Sequence, residues 1–117
     1  MKRVIMALGL ALSCGATTAA AKVSFIQQIP NGSAFGCNTC HAPSPPSHNA
    51  FGADIDATLK GGDPDWPSVC NLDSDGDGFS NGAELLDPDC TWTFGTQTDQ
   101  GIATNPGDAA SKPEPEP

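Results

Sequence analysis

The sequence predicts a small irregular α-rich domain, loop-rich, with two or three short helices, stapled by a disulfide and by Ca²⁺. Three observations predict it. Glycine and proline are abundant, 13 and 11 of 117 residues, which breaks up regular elements. Cys37, Cys40, Cys70 and Cys90 follow an apolar leader, an even count that suits an oxidising compartment. An acidic loop of EF-hand spacing runs from Asp73 to Glu84. The large apolar residues beyond the leader are too few for more than one small domain, which then needs staples.

The leader is residues 1–21. Lys2 and Arg3 precede a nearly continuous apolar run from Val4 to Leu12, and Ala19-Ala20-Ala21 offers a small-residue cleavage site. The apolar run is too short to span a bilayer, so the expectation is a cleaved signal peptide with no membrane span in the mature chain. Cys14 lies within the leader, but the leucine at position 12 stands one place too close to it for a lipid-attachment box. The product is expected to be secreted, periplasmic or extracellular. A formal charge of -9 argues against binding nucleic acid or anionic lipid through charge.

Residues 22–102 are expected to form the domain. Val23, Phe25, Ile26 and Ile29 give a short helix or strand with one apolar edge, and Pro30-Asn31-Gly32 gives a turn. Cys37 to Ser47 reads as a loop held extended by Pro43, Pro45 and Pro46. Asn49 to Lys60 reads as a helix, because Phe51, Ile55 and Leu59 recur every fourth residue and Gly61-Gly62 ends it. Gly52 weakens its first turn. Pro64 and Pro67 frame Trp66 and argue against a regular helix entering the acidic loop. An exit helix is expected from about Asn81 through Leu86, stopped by Pro88. Trp92 and Phe94 can cover the ends of the loop. From Ala103 onward nothing large is left to bury, so 103–117 reads as a disordered tail.

The acidic loop fits Ca²⁺, which takes roughly six to eight hard oxygens. Asp73, Asp75 and Asp77 stand at loop positions 1, 3 and 5. The Phe79 carbonyl supplies position 7, Asn81 reaches the ion at position 9 directly or through water, and Glu84 closes the shell at position 12. Gly78 permits the sharp turn between them. Without a cation, these carboxylates would repel one another across a solvated turn. No second such loop is present, so a structural site is expected rather than a sensor. Cys70 and Cys90 bracket the loop. A disulfide between them would close a segment of about 20 residues and stabilise it by roughly 3 kcal/mol.

A second motif is Cys37-Asn38-Thr39-Cys40-His41, the C-x-x-C-H attachment signature of haem c. Two thiols would take the haem vinyls, with His41 as proximal ligand. Any methionine ligand leaves with the leader, so His48 is the candidate sixth ligand, or the iron stays five-coordinate. Competing readings are a Cys37–Cys40 disulfide, another cysteine pairing, or Zn²⁺ held with His41 and His48, although that spacing matches no common zinc motif.

The order of features is also informative. Asn49-Ala50-Phe51-Gly52 precedes Trp66 and Cys70, then comes the acidic loop, then Asp87-Pro88-Asp89-Cys90 and Trp92. This series resembles the temptin family, the Cys/Cys disulfide domain of secreted proteins that includes a molluscan water-borne pheromone. The resemblance covers nearly all of the mature chain. It implies a secreted domain with a Ca²⁺ loop and a Cys70–Cys90 disulfide. The C-x-x-C-H departs from the pheromone members and is similar to bacterial members that carry a haem c motif there. Two functional expectations follow. One is a calcium-binding secreted domain carrying one haem c for electron transfer to an unknown redox partner. The other is a non-redox extracellular interaction or signalling module, with Cys37 and Cys40 oxidised and an extracellular protein partner. No nucleophile–base pair is apparent, so an enzyme is not expected.

Overall fold

A computed structural model describes residues 23–115; the predicted leader, Lys22 and the last two residues lie outside them. Short helices joined by loops make up the domain. Two 3₁₀ segments, Val23–Gln28 and Gly32–Thr39, lead into three α-helices: α1 (Ala50–Ala57), α2 (Trp66–Val69) and α3 (Asn81–Glu84). Among the described residues the extended pairing is confined to two isolated antiparallel bridges, His41 with His48 and Lys60 with Asp63.

The N-terminal apolar segment is a 3₁₀ helix, and Ile29 at its end is buried. The expected turn follows, with Asn31 at φ 52. Its side chain donates to the Leu85 carbonyl at 2.9 Å, so this turn also satisfies an orphan carbonyl at the end of α3. The second 3₁₀ segment is kinked at Gly36 and runs to Thr39, so Cys37 sits in helical rather than extended backbone. Residues 42–47 then fold back on themselves. Ala42 N–H donates to the Ser47 carbonyl and Ser47 N–H to that of Ser44. The expected extended proline linker is therefore a closed loop, because these backbone groups find partners within it.

Helix α1 is shorter than the Asn49–Lys60 span that its apolar spacing predicts. Asn49 caps it, its Oδ1 accepting from Gly52 N–H at 2.8 Å. At the other end the Thr58 hydroxyl donates back to the Asp54 carbonyl at 2.7 Å, competing with helix propagation, and Gly61 and Gly62 turn the chain at positive φ. Phe51 and Ile55, one turn apart, are both buried. Gly52 is required rather than merely tolerated. A Cβ there would lie 2.0 Å from the Cys40 carbonyl oxygen, so its absence lets α1 close against the Cys40 backbone.

A one-turn helix does enter the acidic loop, contrary to the expectation of an exit helix alone. Pro67 occupies the first turn of α2, where a missing N–H costs nothing. Helix α3 begins at the expected residue, capped by Ser80, whose hydroxyl accepts from Ala83 N–H at 3.1 Å. It stops at Glu84, and Leu86 follows at φ 65. A disulfide joins Cys70 to Cys90 with Cα atoms 5.8 Å apart, tying the end of α2 to the segment beyond α3.

The core gathers Phe51 and Ile55 of α1, Trp66 and Val69 of α2, and Ile29, Cys70 and Leu85, with Leu59 and Trp92 packed at its margin. Phe94 and Ile102 stay largely exposed, so Trp92 alone of the expected pair covers the disulfide end. Residues 103–111 do not form the free tail that their composition predicts. Thr104 N–H donates to the Glu84 carbonyl, Asn105 Nδ2 donates to the Asn38 carbonyl at 2.9 Å, and Pro106 is fully buried. This strap is held by polar side-chain and backbone bonds, which a count of large apolar residues does not register.

Candidate metal centre

The Asp73–Glu84 loop is shaped by its own carboxylates. Asp73 Oδ1 accepts from the N–H groups of Gly76 and Asp77, and its Oδ2 accepts from Gly78 N–H at 2.9 Å. Asp75 Oδ1 accepts from Asp77 N–H, and Asp77 Oδ1 from Phe79 N–H. Gly76 and Gly78 hold φ 74 and 95, a left-handed conformation that side-chain-bearing residues resist. One ligand atom from each of Asp73, Asp75 and Asp77 lies within 4.8 Å of the others.

Glu84 lies outside that close group, yet like two of the aspartates it has an oxygen left without a partner. Asp75 Oδ2, Asp77 Oδ2 and Glu84 Oε2 are buried and have no hydrogen-bond partner. Glu84 is 1% exposed, and its other oxygen accepts from the Thr104 hydroxyl at 3.0 Å. Burial, reinforced by the charges of Asp75, Asp77 and Asp73, pushes the Glu84 carboxyl up to about 8. Burial likewise raises Asp75 to about 6, with the Asp77 and Asp73 charges adding to it. Three buried carboxylate oxygens without a donor are costly for a fold unless a cation meets them.

The structure places one predicted ligand elsewhere. Asn81 is fully buried, and its amide donates to the Val69 carbonyl and the Ser74 hydroxyl, both at 2.8 Å, while its Oδ1 accepts from Ser74 N–H. As the first residue of α3 it faces back toward α2, where it locks the loop from inside. Ser74 continues the connection by donating to Asp54 Oδ2 of α1 at 2.6 Å. Neither Ser74 nor Thr104 is marked by the EF-hand spacing, because both act through segments distant in sequence.

Asp87 is the other buried carboxylate of consequence. It accepts from Trp66 Nε1 at 2.7 Å, from Thr91 N–H at 3.0 Å and from Trp92 N–H at 3.2 Å. It thereby joins both tryptophans beside the disulfide. The Asp87-Pro88-Asp89-Cys90 run displays this residue, but its role needs the fold.

Cys37, Cys40, His41 and His48 lie close together in sequence, and His41 pairs with His48 across an isolated antiparallel bridge. Cys37 is disulfide-bonded, and not to Cys40, which is a free, half-buried thiol packed at the core margin. The expected Cys37–Cys40 disulfide is not formed. His41 and His48 stack against each other with ring centroids 5.1 Å apart. Burial raises the Cys40 thiol to about 11, so it stays protonated. Iodoacetamide at mildly alkaline pH should therefore modify Cys40 in the native protein far more slowly than in urea, as read by intact mass. Equal rates in the two conditions would show an exposed thiol.

A loop-rich domain with an EF-hand-like acidic loop between two disulfide-bonded cysteines belongs to the class of small disulfide-stapled domains. Within that class the chain belongs to the temptin family: the family model "Temptin C-terminal" matches residues 19–108. Temptin of Aplysia californica is 39% identical over 98 residues, covering 74% of this chain and 75% of that protein. No solved structure matches the chain. The family match runs through the start of the 103–111 strap, in keeping with the packing of that segment. Among the described residues no helix is long and apolar enough to cross a membrane.

Proposed function

We propose that this protein is a calcium-stapled extracellular interaction module of the temptin-like signalling type, recognised by a protein partner, and not an electron carrier. The observation that carries the calcium part is the trio of buried, unpartnered oxygens on Asp75, Asp77 and Glu84. Carboxylates of Asp73, Asp75, Asp77 and Glu84 and the Phe79 carbonyl would hold the ion, with water completing the shell in place of Asn81. The ion's contribution is cross-linking. It neutralises the loop and ties it to α3, and through Thr104 to the strap.

Temptin membership and the Cys70–Cys90 disulfide support the extracellular, non-redox half of the reading. The net charge of -9 favours a basic partner surface. Calorimetric titration of metal-stripped protein with CaCl₂ should show one ion per chain. Protein secreted from a host competent in haem c maturation should show no Soret band and no haem in its intact mass. Absence of calcium binding sinks the first half of the proposal, and a covalently attached haem sinks the second.

A further inference from the structure

We propose a second metal site, separate from the calcium loop: His41 and His48 form a two-imidazole chelate for a divalent transition ion, copper(II) foremost. The loop between them folds back so that the two residues face each other across an antiparallel bridge. Facing residues of such a pair project their side chains from the same face. The imidazoles follow this geometry, with centroids 5.1 Å apart and planes within 27° of parallel.

The protonation of one ring is set by its partner. His41 Nδ1 lies 3.0 Å from the Ser47 carbonyl oxygen, which can only accept, so Nδ1 carries the proton. The lone pair of neutral His41 is then on Nε2. Imidazoles that ligate metals are commonly prepared in this way, with the remote nitrogen donating to a carbonyl. The carbonyl comes from the residue next to His48, so the same turn sets the tautomer of one ring and the position of the other.

The surroundings suit an ion arriving from solvent. His48 is exposed and His41 half-buried. His41 lines an open groove of about 570 Å³ together with Asn38 and Asn105, which leaves room for waters. Cys40, although adjacent in sequence, packs toward the core and keeps its proton. Nitrogen donors with oxygen or water suit copper(II), which heads the divalent affinity order, whereas calcium prefers the all-oxygen loop. The two sites therefore differ in donor chemistry as well as in position.

The test uses the untagged full chain with calcium in excess, titrated with CuCl₂ and followed by electron paramagnetic resonance. One bound copper per chain with superhyperfine coupling to two imidazole nitrogens is expected. His48→Gln and His41→Gln should each lower copper affinity by about tenfold or more and reduce the coupling to one imidazole. His48→Gln, at an exposed position, should keep the wild-type thermal response to calcium, which separates loss of a ligand from loss of the fold. Copper affinity and nitrogen coupling unchanged in His48→Gln would overturn the proposal. So would copper that excess calcium displaces, because that ion would sit on the carboxylate loop. Neither result bears on the calcium assignment, which is read from calcium binding alone.

Discussion

Removing calcium is expected to lower the melting temperature by roughly 10 °C. A ligand present at ten to a hundred times its dissociation constant stabilises the folded state by about 1.4 to 2.7 kcal/mol. A domain of this size shifts by about 4–8 °C per kcal/mol. Extracellular-type calcium sites with dissociation constants near 10⁻⁴ M fall in that regime at roughly millimolar calcium. Glu84→Gln separates the contributions. It keeps the shape and an acceptor for Thr104 but removes the charge that the ion would meet. In calcium the variant should melt well below the wild type. In EDTA it should melt at or above the wild type, because an uncompensated buried carboxylate is gone. Coincident melting curves of wild-type protein with and without EDTA would rule out a stabilising ion.

The pH response of the stripped protein has a definite sign. Asp75 and Glu84 rise from ordinary values of 3.8 and 4.5 to about 6 and about 8 on folding. The folded state thus binds protons more tightly than the unfolded chain. The stability this contributes is complete below about pH 4 and is lost as pH climbs through 6 and 8. Calcium requires the ionised carboxylates and should reverse the trend over the same interval. Melting curves across that range, with EDTA and with calcium, are expected to diverge as pH rises.

Asp87→Ala is expected to be the most damaging single change outside the loop, at about 3 kcal/mol or more. It would leave the Trp66 indole N–H and the backbone N–H groups of Thr91 and Trp92 without their acceptor beside the core. Asp87→Asn should not rescue it, because one half of the amide is a donor facing other donors. Urea midpoints measure the loss, and Asp89→Asn, at an exposed neighbouring position, is the control. A shift for Asp87→Ala no larger than the control's would show that the carboxylate is not the hinge of this region.

Much of this protein was legible before folding. The spacing of Asp73, Asp75 and Asp77 foretells an acidic loop whose carboxylates gather, and the structure brings one oxygen of each within 4.8 Å of the others. Phe51 and Ile55 state the buried face of α1, because helical period and burial are local properties. The order of motifs around Cys70 and Cys90 carries the family and its disulfide. The C-x-x-C-H run shows the limit of such reading. Its spacing permits haem, a disulfide or a free thiol, and the choice depends on where Cys37 and Cys40 lie in three dimensions.

Tertiary structure alone decided the contacts between residues far apart in the chain. Asn81 fits a ligand position in sequence but is spent on Val69 and Ser74. Gly52 looks like a weak helix residue until the Cys40 carbonyl is seen against it. Residues 103–111 look solvated because they lack large apolar side chains, yet Thr104 and Asn105 bind them down to Glu84 and Asn38. The physical reason is common to all three. Periodicity and ligand spacing are encoded within a few residues, whereas polar satisfaction in a small core is settled by whichever donor and acceptor the fold brings together.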